Sequence, residues 1–245
     1  VCTTPSTYYS YVEHWNNFYN GNREIVFVTD NTTDEKFKVG FTYNENDIRK
    51  NLNFYKQIGP KHFWNSVGNR TIIWFYAHFR MLNFYISNPN HDYYWFFDDD
   101  VKAQNWDEFF KGFENNDSDF ISYFCFKNEN VESQPDVPKI DQKTFSYKLW
   151  FERFPGDGDT LPENTNEIFG SFFPVVRLSK RALEELLKVN NEGFYGYSEG
   201  FVPTILNRKG FKLQTLIDNN DISKHFNVDD VVIRHKNTKI TWSWI

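Results

Sequence analysis

Apolar and polar positions alternate along this chain with two periods. Tyr8, Val12, Trp15 and Tyr19 recur at helical spacing, and Asn20-Gly21-Asn22 supplies a turn after them. Residues 24–29 form a β-branched run that reads as a strand ending at Asp30, with a polar loop over 31–35. Helical spacing returns over 47–58, closed by Gly59-Pro60, and over 71–87, ended by Asn88-Pro89. Tyr93–Phe97 is an unbroken aromatic run, as expected of a strand buried on both faces. A short helix over 106–113 and an aromatic strand over 120–126 follow, then polar loops over 128–141 and 154–166. The last part reads as a strand over 168–178, a helix over 183–189 with Ser179 as its N-cap, and a helix over 198–209. Strands separated by helices predict one α/β domain over 1–245, with a mostly parallel central sheet and helices on both faces. Val1–Pro5 reads as the end of a strand whose beginning was cut away.

Composition narrows the function. Aromatic residues make up 20% of 245 residues, a bias to which AT-rich codons contribute; most of these rings are expected in the core, while rings with polar tips also suit a sugar-binding cleft. The net charge of −6 and the lack of a long basic run argue against nucleic acid as a partner. Cys2 and Cys125 make no disulfide framework. No stretch approaches the roughly 20 apolar residues of a membrane span, and a cytoplasmic or membrane-peripheral location is the expectation. Asn31, Asn69 and Asn116 stand in glycosylation sequons, which arise by chance in Asn-rich chains.

The sharpest chemical signal is the end of the aromatic run, Phe96-Phe97-Asp98-Asp99-Asp100-Val101. Three adjacent acids repel one another unless a cation or a donor-rich ligand sits among them. Asp98 and Asp100 fall on one side of the strand tip and form a platform for Mn²⁺ or Mg²⁺, hard cations that bridge to phosphates. A solvated turn is the plainer alternative. The segment resembles the DxD motif of GT-A type nucleotide-sugar glycosyltransferases. The D-x-D of haloacid-dehalogenase-like phosphatases is a rival, but Lys102 stands where that family has Thr or Val.

The GT-A resemblance implies the nucleotide-diphospho-sugar transferase fold and further contacts. Thr4 and Asp30, at the ends of the first two strands, would meet base and ribose, with Asp30 accepting the imide proton of uracil. An Asx turn is an equal alternative for Asp30. Asp99 would face ribose hydroxyls. Gly170 and Ser171 would face the donor sugar, with a simple bulge as the alternative. Arg80 faces either a phosphate or solvent. A late His supplies a third metal ligand in many such enzymes, which makes His235 the candidate and His225 the reserve.

Two segments add chemistry of their own. Glu199 precedes an apolar helix start and is flanked by Phe194, Tyr195, Tyr197 and Phe201, a setting that favours a raised carboxyl pKa and a general-base role. Stabilisation of the helix N-terminus is the alternative. Glu199 with Thr204-Ile205-Leu206 resembles the Glu-x-x-x-x-Thr-Ile-Leu pattern of branching β-1,6-N-acetylglucosaminyltransferases, in which the equivalent Glu is the base. Those enzymes lack a metal-binding DxD, so this resemblance covers the segment alone. Arg234 and Lys236 flank His235 and suit a diphosphate.

These readings converge on metal-dependent transfer of a hexosyl or N-acetylhexosaminyl group from a nucleoside diphosphate sugar, UDP-linked by preference, to a glycan or other acceptor hydroxyl. Inversion is the expected outcome. A metal-dependent phosphohydrolase and a non-catalytic carbohydrate-binding protein are the competing classes.

Overall fold

Short strands whose side chains alternate between two apolar cores organise the chain. The computed structural model describes residues 1–32, 34, 36–53, 77–98, 101, 103, 105–123, 125–127, 152–153, 169–196 and 198–216. Strands β1 (Cys2–Thr3), β2 (Val28–Asp30) and β3 (Phe41–Tyr43) run parallel, with Thr3 opposite Thr29 and Thr29 opposite Thr42. Helix α1 (Tyr8–Phe18) lies between β1 and β2, and α2 (Glu45–Asn51) follows β3 behind an Asn44/Asp47 capping box. Helix α3 (Ala77–Ser87) leads into β4 (Tyr93–Phe97), which is followed by α4 (Trp106–Lys111) and β5 (Phe120–Ser122).

Two short ladders stand apart. One pairs β6 (Cys125–Lys127) with β8 (Phe169–Ser171), and the other pairs β7 (Glu152–Arg153) with β10 (Phe194–Tyr195). The remaining elements are β9 (Val175–Ser179), α5 (Lys180–Asn191), α6 (Ser198–Arg208) and β11 (Leu213–Thr215).

A second sheet has the order β11-β5-β9-β4. A parallel bridge between Cys2 and Asp98 joins β1 to the end of β4. The strands therefore lie side by side as β3-β2-β1-β4-β9-β5-β11. The chain moves outward from β1 through β3 and then resumes on the other side of β1, so the order reverses between β1 and β4. Ligands of open α/β sheets bind beyond the carboxyl ends of the strands at such a reversal.

The α/β architecture and the parallel β1–β3 and β5/β11 pairings match expectation, while β9 runs antiparallel to both β4 and β5. Its direction follows from where the chain arrives. Pro174 accepts the Asp98 N–H at 2.8 Å, so β9 starts at the tip of β4 and must run back down the sheet. Pro174 also explains why the expected strand 168–178 divides into β8 and β9, since proline offers no donor to a ladder. The strand expected over 120–126 divides too, because β6 leaves the sheet to pair with β8.

Helices cover both faces. Tyr94 and Phe96 of β4 and Val176 and Leu178 of β9 enter a core with side chains of α2, α3, α5 and α6. Phe97, Ile121 and Val175 enter the opposite core with α1 and α4. There Trp15 stacks on Trp106 with centroids 4.1 Å apart and planes 15° from parallel. No helix among the described residues is long and apolar enough to cross a membrane.

Ser179 caps α5 as its sequence predicts, accepting the Ala182 N–H at 3.2 Å. Its hydroxyl also donates to buried Asp119, which holds Arg181 and accepts the Lys212 N–H at 2.9 Å. Burial pushes this carboxyl up, but the bonds from Arg181, Lys212 and Ser179 together hold it below 3.8. A carboxyl depressed by folding adds stability above its unfolded pKa and loses it as pH falls through the folded value. The stability gap between wild type and Asp119→Asn, measured by urea unfolding, is expected to be widest at neutral pH and to close below pH 3.8.

Two sequon amides serve the fold. Asn31 Nδ2 donates to the Phe37 carbonyl at 2.9 Å, and Asn116 Nδ2 donates to Gln214 Oε1 at 2.6 Å. Asn69 lies outside the described residues.

Candidate functional site at the carboxyl ends of the strands

The alternation along β4 decides where its terminal acid points. Tyr94 and Phe96 face the α3 side, and Asp98 continues that set to meet Arg80 of α3 in an ion pair. Arg80 is 6% exposed, whereas the Asp98 side chain is 35% exposed, so the pair reaches from the core to the site mouth. Burial acts to lower the pKa of the guanidinium, but the charge and hydrogen bond of Asp98, with Cys2 and Tyr43, together outweigh it and keep Arg80 charged. Among the described residues, buried Arg80 Nε has no hydrogen-bond partner.

Cys2 and Tyr43 lie close enough to act electrostatically on Arg80, and Tyr43 in turn feels Asp30. Burial first, and the Asp30 charge second, raise the Tyr43 phenol well above its ordinary value. The tips of β3, β2, β1 and β4 thus gather a phenol, two carboxylates, a thiol and one guanidinium.

Asp30 forms the Asx turn: its Oδ1 accepts Thr32 N at 2.9 Å and Thr32 Oγ1 at 2.5 Å. Thr32 Oγ1 then accepts Glu45 N at 3.1 Å, which ties the loop to α2. Thr4 shapes the turn into α1, its carbonyl accepting from Thr7 N at 3.1 Å and Tyr8 N at 3.0 Å. Below it the Thr3 and Thr29 hydroxyls meet at 2.8 Å.

Glu199 stands in the first turn of α6, with its carboxylate turned toward the β8–β9 connection. Phe173 N donates to Glu199 Oε1 at 3.4 Å, and Ser171 Oγ donates to the Glu199 carbonyl at 2.9 Å. Farther along α6, Thr204 Oγ1 accepts Phe169 N at 2.9 Å. Phe173 therefore binds Glu199 while its neighbour Pro174 binds Asp98. Two acidic residues 101 positions apart thus bond to adjacent residues of one short segment, Glu199 through its carboxylate and Asp98 through its backbone N–H.

The structure thus brings together Asp98, Arg80, Glu199 and Ser171, with Gly170 beside Ser171 in β8 and paired to Phe126. Thr4 and Asp30 line the β1–β2 end of the same edge. Asp99, Asp100, Arg234, His235, Lys236 and the reserve His225 lie outside the described residues. Of the aromatic residues read as flanking Glu199, Tyr195 and Phe201 are core, with 0% and 1% exposure. Both belong to the core on the α3 side of the sheet and do not line a cleft. Tyr197 lies outside the described residues.

Sequence reasoning missed Tyr43 and Cys2, which sit in strands too short to show a pattern. It also missed His78 and Ser198, whose only signal was a polar residue inside an apolar helix. Among the described residues no group of three or more His, Cys, Asp and Glu could hold a metal. Asp98 alone of the expected ligands is described. Its carboxylate pairs with Arg80, and carboxylate oxygens suit a hard cation. The chain matches no protein-family model, no curated protein and no solved structure.

Proposed function

We propose that this chain is a GT-A type glycosyltransferase that moves a hexosyl or N-acetylhexosaminyl group from a nucleoside diphosphate sugar to an acceptor hydroxyl. The observation that carries the reading is the exposed end of the Asp98–Arg80 pair beside the β1/β4 reversal, with Glu199 across the 173–174 segment. A nucleotide would lie over the tips of β1 and β2, near Thr4 and Asp30. Mn²⁺ or Mg²⁺, held by Asp98 with Asp100 and His235, would offset charge on the departing diphosphate when bound.

The chain's own residues do the rest. Arg80 holds the Asp98 carboxylate in place, and Arg234 and Lys236 assist the diphosphate. Ser171 fixes the backbone of Glu199. In an inverting transfer the acceptor oxygen bonds to the anomeric carbon while the bond to the diphosphate oxygen breaks and its electron pair leaves with the diphosphate. Glu199 takes the acceptor proton. In a retaining transfer Glu199 positions the sugar instead.

Calorimetric titration with UDP in the presence and absence of Mn²⁺ tests the reading. Metal-dependent diphosphate binding is expected. Sugar binding without any nucleotide response would favour the carbohydrate-binding alternative, and release of phosphate from simple phosphate esters would favour the phosphohydrolase. Asp30 leads us to expect that UDP outcompetes GDP; the reverse order in competition binding would remove the uracil contact.

A further inference from the structure

We propose that His78 and Ser198 form a buried positioning pair that sets Glu199 in register with the Asp98–Arg80 ion pair, an inference that rests on the transferase reading for the role of Glu199. His78 lies in α3, two residues before Arg80, and Ser198 lies in α6 immediately before Glu199. Both are 1% exposed. Ser198 Oγ accepts the His78 backbone N–H at 3.1 Å and lies 2.8 Å from His78 Nδ1. A hydroxyl has one proton and two acceptor lone pairs. One hydroxyl therefore serves both the His78 backbone N–H and Nδ1. The imidazole is buried with it. Burial pulls its pKa down to about 3, and it stays neutral over any working range.

The ring is held at 4.6 Å from Phe79 and 5.6 Å from Phe201. Apolar contact between two helices tolerates sliding, whereas this two-point bond defines one register. The helix that holds Asp98 through Arg80 is therefore fastened two residues from Arg80, and the helix that carries Glu199 one residue from it. A Ser–His contact of this length also activates nucleophiles, but a nucleophile must reach its substrate and this hydroxyl is buried.

The test uses the full chain and the variants Ser198→Ala, His78→Leu and His78→Asn, the last keeping a polar group where Nδ1 stands. Amide hydrogen exchange is read over residues 171–173 and 198–201. Ser198→Ala and His78→Leu are expected to speed exchange in both segments, with His78→Asn restoring part of the protection. In turnover, the first two variants are expected to lower kcat by roughly 10- to 10²-fold, the scale of a misplaced reacting group. Affinity for Mn²⁺–UDP stays within a few-fold, and Ser198→Ala adds no further loss in a Glu199→Gln background.

Unchanged exchange at Phe173 in Ser198→Ala overturns the pair, and so do kinetic losses that add to those of Glu199→Gln. Covalent labelling of Ser198 by a fluorophosphonate overturns it in favour of a nucleophile. A wild-type protein that turns over no nucleotide sugar defeats the transferase reading, and the exchange measurement then still decides the pair. If His78→Leu fails to fold, Ser198→Ala and His78→Asn carry the same comparison.

Discussion

Glu199→Gln is expected to lower kcat by roughly 10²–10⁴, the usual contribution of a positioned acid or base, while Mn²⁺–UDP affinity changes by no more than a few-fold. The carboxylate sits in the first turn of α6 and receives the Phe173 N–H at 3.4 Å. Glutamine keeps the volume and an oxygen that can still accept that bond, so the local backbone is preserved. What it loses is the ability to take a proton. Because the Ser171 hydroxyl binds the Glu199 backbone carbonyl, which the substitution leaves intact, the helix start stays where it is. Single-turnover kinetics and calorimetry on the same preparation separate the two effects. Near-normal turnover removes Glu199 as the base; lost donor binding makes it a substrate-holding residue, as in a retaining reaction.

Asp98→Asn is expected to abolish metal-dependent nucleotide binding and also to lower stability. Asparagine keeps the shape but removes the charge that a hard cation needs, and it strands Arg80, which is 6% exposed. Removing one partner of a fully buried pair costs about 3–5 kcal/mol. The Asp98 side chain is 35% exposed, so solvent screening reduces the expected cost to about 1–3 kcal/mol. The double variant Asp98→Asn with Arg80→Met removes the stranded charge. It is expected to recover most of the stability in denaturant titrations and none of the nucleotide binding. Recovery of both, or full Mn²⁺–UDP binding by Asp98→Asn alone, would reject Asp98 as a ligand and leave it a structural acid.

The sequence by itself determined the elements whose residues carry a local code. The period in Tyr8, Val12, Trp15 and Tyr19 marks α1, and the Ser179 hydroxyl three residues before Ala182 marks the cap of α5. The aromatic run 93–97 reads as a strand because residues buried on both faces need no alternation. Asp98 and Glu199 were legible as candidates for the same reason: an acid at the tip of such an element stands out without its neighbours. Asp30 was legible as an acid at a strand end, and its use in an Asx turn was already one of two readings.

Only the tertiary structure decided what these groups face. Arg80 had two readings from sequence, phosphate or solvent; it is buried rather than solvated and pairs with Asp98, which the sequence of α3 alone does not specify. The antiparallel course of β9 was illegible because strand direction depends on where the chain re-enters the sheet, and hydrophobic pattern carries no sign for direction. Tyr43 and Cys2 lie in strands of two or three residues, too short for a period to reveal their facing, and nothing local marks His78 and Ser198 as partners 120 positions apart. The bonds of Asp98 and Glu199 to the adjacent Pro174 and Phe173 join residues 101 positions apart, far beyond the reach of any local pattern. Local propensity encodes whether a segment is helix or strand, because that depends on neighbours three or four positions away. Which side chains then meet depends on the packing of both apolar cores at once, and that is settled when the sheet closes between β1 and β4.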